Sequence, residues 1–493
     1  MPVRSRSTDS NSDARMLDFS FLFIFNVLAI VSVVFFERKR PSEIISWILV
    51  IMFLPGIGFI LYLLIGETAS LKMTSRFNQK RLFDDSWRRR HSALTEQQSG
   101  AGEREILRKH DDVVEMIRRQ SECRLTTDNK IEIFTDGISK FDALYEDIAG
   151  ATKSVHMLYF AFNADYVGAR FVNALARKAA EGVEVRVLYD TIGNFPYLIS
   201  HYRKIAEAGG KVYRFFPLVN IFKVNYRNHR KIAVIDGKIA YTGGINISKN
   251  YIGGHPRAKP WRDTHIRVTG SGVGSFQERF FLDWIHVSKE RINFDDASLK
   301  QKYFPPPDEG DRGTVAMQVV SSGPDADGEH IKNGYMKMIN RAKRSLYMQS
   351  PYFIPDTSFL LALRLAVDSG VDVRIILPGI PDKRLVYLIS RSYLRELLHA
   401  GVKIYFYNGF IHSKMIVMDG EIATIGTANI DIRSFLLDFE INAFMYDVGF
   451  AGRCEKIFHA DVEKSVFVTP ELLKDSVLLR LVETILRILS PLL

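Results

Sequence analysis

His229, Lys231, Asp236, Gly243 and Asn246 recur as His412, Lys414, Asp419, Gly426 and Asn429. Both sets read H-x-K-x4-D-x6-G-x-x-N, and in both the Asn lies 17 residues after the His. One His-x-Lys pair arises easily by chance; two matches with the same internal spacing do not. The residue types suit the breaking of a phosphodiester. That reaction needs a nucleophile, positive charge at the non-bridging oxygens, and a proton for the departing alkoxide. One imidazole can attack phosphorus and carry a phosphohistidine. The other can protonate the leaving oxygen and then deprotonate an incoming alcohol. Lys231 and Lys414 would stabilise the pentacoordinate charge, and Asn246 and Asn429 would donate amide hydrogens to the same oxygens.

The carboxylates divide into two kinds. Asp236-Gly237 and Asp419-Gly420 read as hairpin turns, so these two motif residues complete the site by fixing its turns. A carboxylate is still needed at the far nitrogen of each imidazole. Glu440, in Phe439-Glu440-Ile441, and Asp263, in Trp261-Arg262-Asp263-Thr264-His265, are the candidates. The apolar alternation around each His-x-Lys places both side chains on one face of a strand. No metal and no other cofactor is expected. A protonated Lys beside each His repels a cation and offers no lone pair, and no Cys/His or carboxylate cluster has ligand spacing. The lone histidines His156, His201 and His330 are expected to be satisfied or exposed.

The elements that position these residues are also duplicated. Residues 143–162 parallel 335–354, each a helix, a Lys/Arg-Ser turn and an apolar strand. Residues 171–189 parallel 359–377, an amphipathic helix stopped by Gly182 or Gly370 and followed by a β-branched strand. Residues 202–215 parallel 393–406, and the motifs follow in each half. Helices alternating with strands predict an α/β fold with helices covering the sheet.

Two apolar runs, 19–36 and 44–65, open the chain. Each is long enough to cross ~30 Å of hydrocarbon, and the pair predicts a transmembrane helical hairpin. Pro55-Gly56 is expected to bend the second helix. A cleaved signal peptide fits less well, because a basic turn and a second apolar run follow the first. Ten Lys and Arg flank the hairpin on the side of its two ends, against three in its loop. The catalytic body is therefore expected on the cytoplasmic side of a multi-pass membrane protein. The basic stretch 72–90 is placed to meet anionic headgroups. In 476–493, Arg480, Glu483, Thr484 and Arg487 form a polar stripe on an otherwise apolar helix, which either docks on the protein or lies in the membrane interface.

The chain of 493 residues carries a net charge of +10 and 47% hydrophobic residues. That balance favours anionic partners. Cys123 and Cys454 cannot make a disulfide framework. A nuclease would show a basic footprint with interleaved aromatics near the motifs, and none is evident, so nucleic acid is not an expected partner. Nothing in the pattern sets an oligomeric state.

With these features the sequence resembles the phospholipase D superfamily with its paired HKD motifs, and within it the bacterial cardiolipin synthases. The resemblance rests on 54–63, the two motifs, Trp261-Arg262-Asp263-Thr264-His265, Asp283-Trp284, 349–355, 431–435 and the tail Ser490-Pro491-Leu492-Leu493. It covers nearly the whole chain. It implies two homologous phospholipase D-like α/β domains behind the hairpin, with the active site at their interface. The expected division is an arm at 1–16, the hairpin at 17–66, a charged connector at 67–122, domains at 123–304 and 317–475 around a linker at 305–316, and a helix at 476–493. The implied reaction transfers a phosphatidyl group between two phosphatidylglycerol molecules in a bacterial cell membrane, without a metal. A phospholipase D or a phosphatidylserine synthase-type transferase with another acceptor is the alternative. The resemblance further implies that His229 is the nucleophile and His412 the acid/base. One departure is Leu437-Asp438-Phe439-Glu440, where the family usually has Asn in place of Asp438.

Overall fold

The structure is a computed structural model describing residues 23–35, 41–65, 101–194, 199–215, 226–253, 259–326, 328–473 and 476–489. The chain divides into two compact units: 1–76 with 218–225 and 484–493, and 77–217 with 226–483. The basic stretch 72–90 and the last four residues lie outside the described residues.

The first unit is helical. A helix over 23–35 is followed by α1 (Pro41–Phe53) and α2 (Ile57–Ile65). The second apolar run is therefore not one helix. Pro55 has no N–H to continue it, and Gly56 takes a left-handed φ of 76°. Asn26 satisfies the groups freed at this break. Its side-chain amide donates to the Ile51 carbonyl at 3.0 Å, and its oxygen accepts from the Gly56 N–H at 3.3 Å. Ala29, Val33, Trp47, Ile51 and Tyr62 make a small core, while Phe23, Leu28, Phe35, Phe53 and Ile57 are exposed. Among the described residues no helix is long and apolar enough to cross a membrane.

The second unit is built on a 16-stranded sheet that states the duplication in its strand order. The first half supplies β1 (Leu125–Phe134), β2 (Ser154–Tyr159), β3 (Glu184–Asp190), β4 (Lys211–Phe215), β5 (Ile232–Ile235), β6 (Ile239–Gly243) and β7 (His265–Thr269). The second supplies β8 (Val315–Ser322), β9 (Ser345–Gln349), β10 (Asp372–Pro378), β11 (Lys403–Tyr407), β12 (Met415–Met418), β13 (Ile422–Gly426) and β14 (Asp438–Tyr446), with β15 (Ser465–Phe467) at its edge. The halves run β1-β7-β6-β5-β2-β3-β4 and β8-β14-β13-β12-β9-β10-β11-β15. Each of the first seven strands thus has its equivalent seven labels later. β1 and β8 pair antiparallel and join the halves. β8 begins at Val315, inside the stretch read as linker, because Val315 already pairs with Asn129 at this seam.

Helices cover both faces, so the inner strands are buried on both sides rather than on one. β2 is buried at every position. On one face lie α3 (Gly137–Gly150) and α4 (Tyr166–Ala180), around Phe141, Leu144, Phe171 and Leu175. On the other, α5 (Val273–Ser288) belongs to a core that runs on into the second half, from Phe280 and Trp284 to Ile425, Phe450 and Phe458. The second half repeats the plan with α6 (His330–Arg341), α7 (Thr357–Asp368), α8 (Arg384–His399) and α9 (Val448–Val462). Asp165 caps α4 by accepting from the Val167 and Gly168 N–H groups, and Asp356 caps α7 by accepting from Phe359. The last helix is α10 (Val477–Leu489). Its Glu483 is buried, bonded to Arg391 at 3.2 Å and Arg395 at 2.6 Å on α8. Val477, Leu478, Leu481 and Val482 are exposed. Glu483 thus ties the first half of this helix to α8, while the neighbouring apolar side chains face outward.

Candidate active site

The His-x-Lys triplets lie not inside regular strands but in the extended links before β5 and β12. There the backbone leaves its own half to pair with the other. Arg227–Asn228 pairs parallel with Asp438 and Phe439, and Phe410–Ile411 pairs parallel with Trp261–Arg262. The His229 N–H then donates to the Phe439 carbonyl at 3.0 Å, and the His412 N–H to the Arg262 carbonyl at 2.6 Å. The next residue in each partner strand is the carboxylate.

His229 Nδ1 lies 2.9 and 3.1 Å from the Glu440 oxygens, and His412 Nδ1 lies 2.7 Å from Asp263 Oδ2. Each histidine is thus oriented by the other half's carboxylate, and neither half holds a complete pair. A proton on Nδ1 faces the carboxylate, which leaves Nε2 with its lone pair. Glu440 is fixed in turn by the Thr427 hydroxyl at 2.5 Å, and Asp263 by the Thr264 N–H at 2.7 Å. Gly244 makes room for Asp263: a Cβ there would fall 2.0 Å from Oδ1.

Lys231 and Lys414 are buried and repeat one another. Each Nζ donates to the carbonyl of its own motif histidine, at 2.7 and 2.6 Å. Burial lowers Lys231 to about 7 and Lys414 to about 8, even though Glu440 and Asp263 pull both upward. Burial, reinforced by the two lysines, holds both imidazoles well below their ordinary range. Burial likewise raises Asp263 and Glu440 to about 7. The arrangement therefore offers two neutral imidazoles next to poised ammonium groups. It can attack an electrophilic phosphorus and neutralise its oxygens at near-neutral pH.

The other motif residues are placed differently. Asp236 and Asp419 stand at left-handed φ of 53° and 54° in the turns before Gly237 and Gly420. Asp236 accepts from the Thr152, Lys153 and Ser154 N–H groups, and Asp419 from those of Lys343, Arg344 and Ser345. They clasp each hairpin to the start of β2 or β9, away from the histidines. The Asn246 amide donates one hydrogen to the Tyr251 hydroxyl at 3.0 Å, and its oxygen accepts from the Ala161 N–H at 3.1 Å. Asn429 Oδ1 has no hydrogen-bond partner among the described residues. His156 is satisfied by Gln277 and Glu184, and His201 Nε2 lacks a partner among the described residues.

Sequence reasoning missed Arg230. It points away from its neighbours His229 and Lys231 and is fully buried. Its guanidinium donates to both Asp283 oxygens at 2.9 Å, to the Ser322 carbonyl, and to the carbonyl of Glu440 at 3.1 Å. Arg279 shares Asp283, and Asp325 joins the cluster. The second motif has Ser413 here, bonded to Thr264 at 2.8 Å. Asp438 is paired with Arg433 at 3.3 Å, and its charge opposes the lysines' effect on His229.

A family model described as "Cardiolipin synthase, PLD-like domain" matches residues 144–255 and 335–462, one segment in each half. The chain is 43% identical over 491 residues to the "Cardiolipin synthase" of Listeria monocytogenes serotype 4a (strain HCC23), across 96% of this chain and 98% of that one. The chain belongs to the cardiolipin synthase family. Another member, the "Major cardiolipin synthase ClsA" of Bacillus subtilis (strain 168), is 42% identical over 482 residues, with the same coverage. A model described as "Phospholipase_D-nuclease N-terminal" matches residues 24–67, the helical first unit. Among solved structures, the phosphatidylserine synthase of Haemophilus influenzae Rd KW20 superposes with a TM-score of 0.57 at 14% identity, over 78% of this chain and all of that one. That likeness shows the fold alone.

Proposed function

We propose that this phosphatidyltransferase joins two phosphatidylglycerol molecules, giving cardiolipin and glycerol, through a phosphohistidine on His229. The observation that carries the reading is the crossed pair of His–carboxylate contacts set beside two buried lysines. His412 enters the reaction protonated at Nε2, the form that the anionic phosphodiester favours; His229 Nε2 attacks phosphorus, and the bond from phosphorus to the glycerol oxygen breaks as His412 gives that proton to the departing oxygen. His412, now neutral again, takes the proton from the hydroxyl of a second phosphatidylglycerol. That oxygen attacks phosphorus, the N–P bond breaks, and cardiolipin leaves. Lys231 and Lys414 neutralise the non-bridging oxygens throughout, with Asn429 as a further donor. Asn246 supports the wall through Tyr251, and Asp236 and Asp419 hold the hairpins. No step passes through a metal. Purified protein given labelled phosphatidylglycerol in EDTA is the test. Cardiolipin and glycerol should form in equal amounts; loss of activity restored by a divalent ion overturns the mechanism.

We further propose that the domains divide as the repeat suggests and that the helices of 17–66 anchor the chain in a bacterial cell membrane. Supporting this, the first unit turns large apolar side chains outward around a core of few residues, a pattern suited to lipid rather than water. The exposed apolar side chains of α10 and the basic stretch 72–90 suit contact with an anionic interface. The excess of basic residues on the side of the hairpin's ends puts the catalytic unit on the cytoplasmic side. Alkylation of single cysteines introduced at 10 and at 38 in intact and permeabilised cells tests it. Labelling of 10 and not 38 from the outside of intact cells overturns the orientation.

A further inference from the structure

Once glycerol has left, the acceptor must approach phosphorus from the side of its base, His412. On that side the Phe410 ring stacks on His412, with centroids 5.8 Å apart. Phe410 also lines a shallow cleft together with Pro351, Tyr352, Asp382 and Lys383. Lys383 precedes the first turn of α8 and is exposed. Its Nζ lies 5.6 Å from the centroid of Tyr352, whose hydroxyl donates to Asp382 at 2.7 Å. Among the described residues Lys383 makes no ion pair. Its charge nevertheless reaches both imidazoles, although it belongs to neither motif.

The reacting phosphorus already has Lys231 and Lys414. A further cation at the rim suits a second phosphate. An acceptor phosphatidylglycerol brings one: its attacking hydroxyl is separated from its own phosphate by three carbons. With that hydroxyl at His412, a three-carbon spacer lets the phosphate reach toward the cleft, because Phe410 both stacks on His412 and lines that cleft. Water or a short alcohol brings no such group.

We propose that Lys383, at the rim of the cleft beside His412, binds the phosphate of the acceptor phospholipid and so favours transfer to lipid over transfer to small alcohols. The proposal rests on the reading of the chain as a phosphatidyltransferase with His412 as base. In the step concerned the hydroxyl proton passes to His412, the O–P bond forms and the His229 N–P bond breaks.

The experiment is a competition. Full-length protein in detergent micelles receives labelled phosphatidylglycerol and a fixed concentration of ethanol, and the ratio of cardiolipin to phosphatidylethanol is measured. The ratio cancels any general effect of the charge on the histidines. Lys383→Gln should lower it about 10-fold, the worth of one charge-assisted contact, and Lys383→Glu should lower it further. Lys383→Arg should keep it near the starting value. An unchanged ratio in Lys383→Gln overturns the proposal, as does a lowered ratio in Lys383→Arg equal to that of Lys383→Gln. Phosphatidylethanol from each variant reports a folded site. If the unaltered protein makes neither product, it is the transferase reading that fails.

Discussion

Glu440→Gln should disable His229 while leaving the fold intact. Glu440 is fully buried, so its charge acts on the imidazole without intervening water. It contacts Nδ1 at 2.9 and 3.1 Å. As His229 attacks, the ring becomes cationic, and the carboxylate is the nearest compensating charge. With charge centres about 4 Å apart and an effective dielectric constant near 20, that attraction is about 4 kcal/mol, or roughly 1,000-fold in rate. A glutamine can also turn its NH2 toward Nδ1, which moves the ring proton to Nε2 and removes the attacking lone pair. Both effects act in the same direction. The assay is the rate of cardiolipin formation from labelled phosphatidylglycerol in micelles, at saturating lipid, with circular dichroism and a thermal melt on the same sample. A folded variant with more than about a tenth of the original turnover would show that the carboxylate does not support the attack.

Gly244→Ala should impair turnover as badly as Asp263→Asn, since the new methyl group takes the space of the Asp263 carboxylate; near-normal activity in micelles would mean that His412 needs no oriented carboxylate. Arg230→Met should destabilise the catalytic unit by about 3–5 kcal/mol, because Asp283 loses one of its two buried cations; a thermal melt measures this, and adding Asp283→Leu should recover part of the loss. The pH dependence of kcat/KM should show a falling limb between about 7 and 8. Lys231 and Lys414 are charged below their lowered values of about 7 and about 8, so phosphate stabilisation is lost as pH rises through them. A limb near the ordinary lysine value would show that burial does not set it.

Much of this was legible in the sequence because it is duplicated. Identical spacing in two motifs picks out His229, Lys231, His412 and Lys414, and the helix-turn-strand parallels anticipate the matching strand orders of the two halves. The crossing was not legible. Glu440 lies 211 residues from His229 and Asp263 149 residues from His412, and only the short cross-half strands decide which belongs to which. Asn246 carries the motif spacing, but its contact with Tyr251 is one that no periodicity announces. Arg230 sits at a position that differs between the copies, Arg against Ser413. That difference was the available signal that one motif needs a buried ion pair behind it. The apolar run 44–65 looked continuous by hydropathy, but Pro55 and Gly56 end α1 and begin α2 by backbone constraints that hydropathy ignores.

Turnover on a crossed histidine pair requires one covalent intermediate on one of the two histidines. Rapid quenching of the enzyme with labelled phosphatidylglycerol in EDTA, followed by mass spectrometry under conditions that preserve N–P bonds, tests it most directly. A phosphatidyl group is expected on His229, absent from His229→Ala and discharged on addition of acceptor lipid. A stable turnover rate with no modified histidine, or with the label on His412, would contradict it.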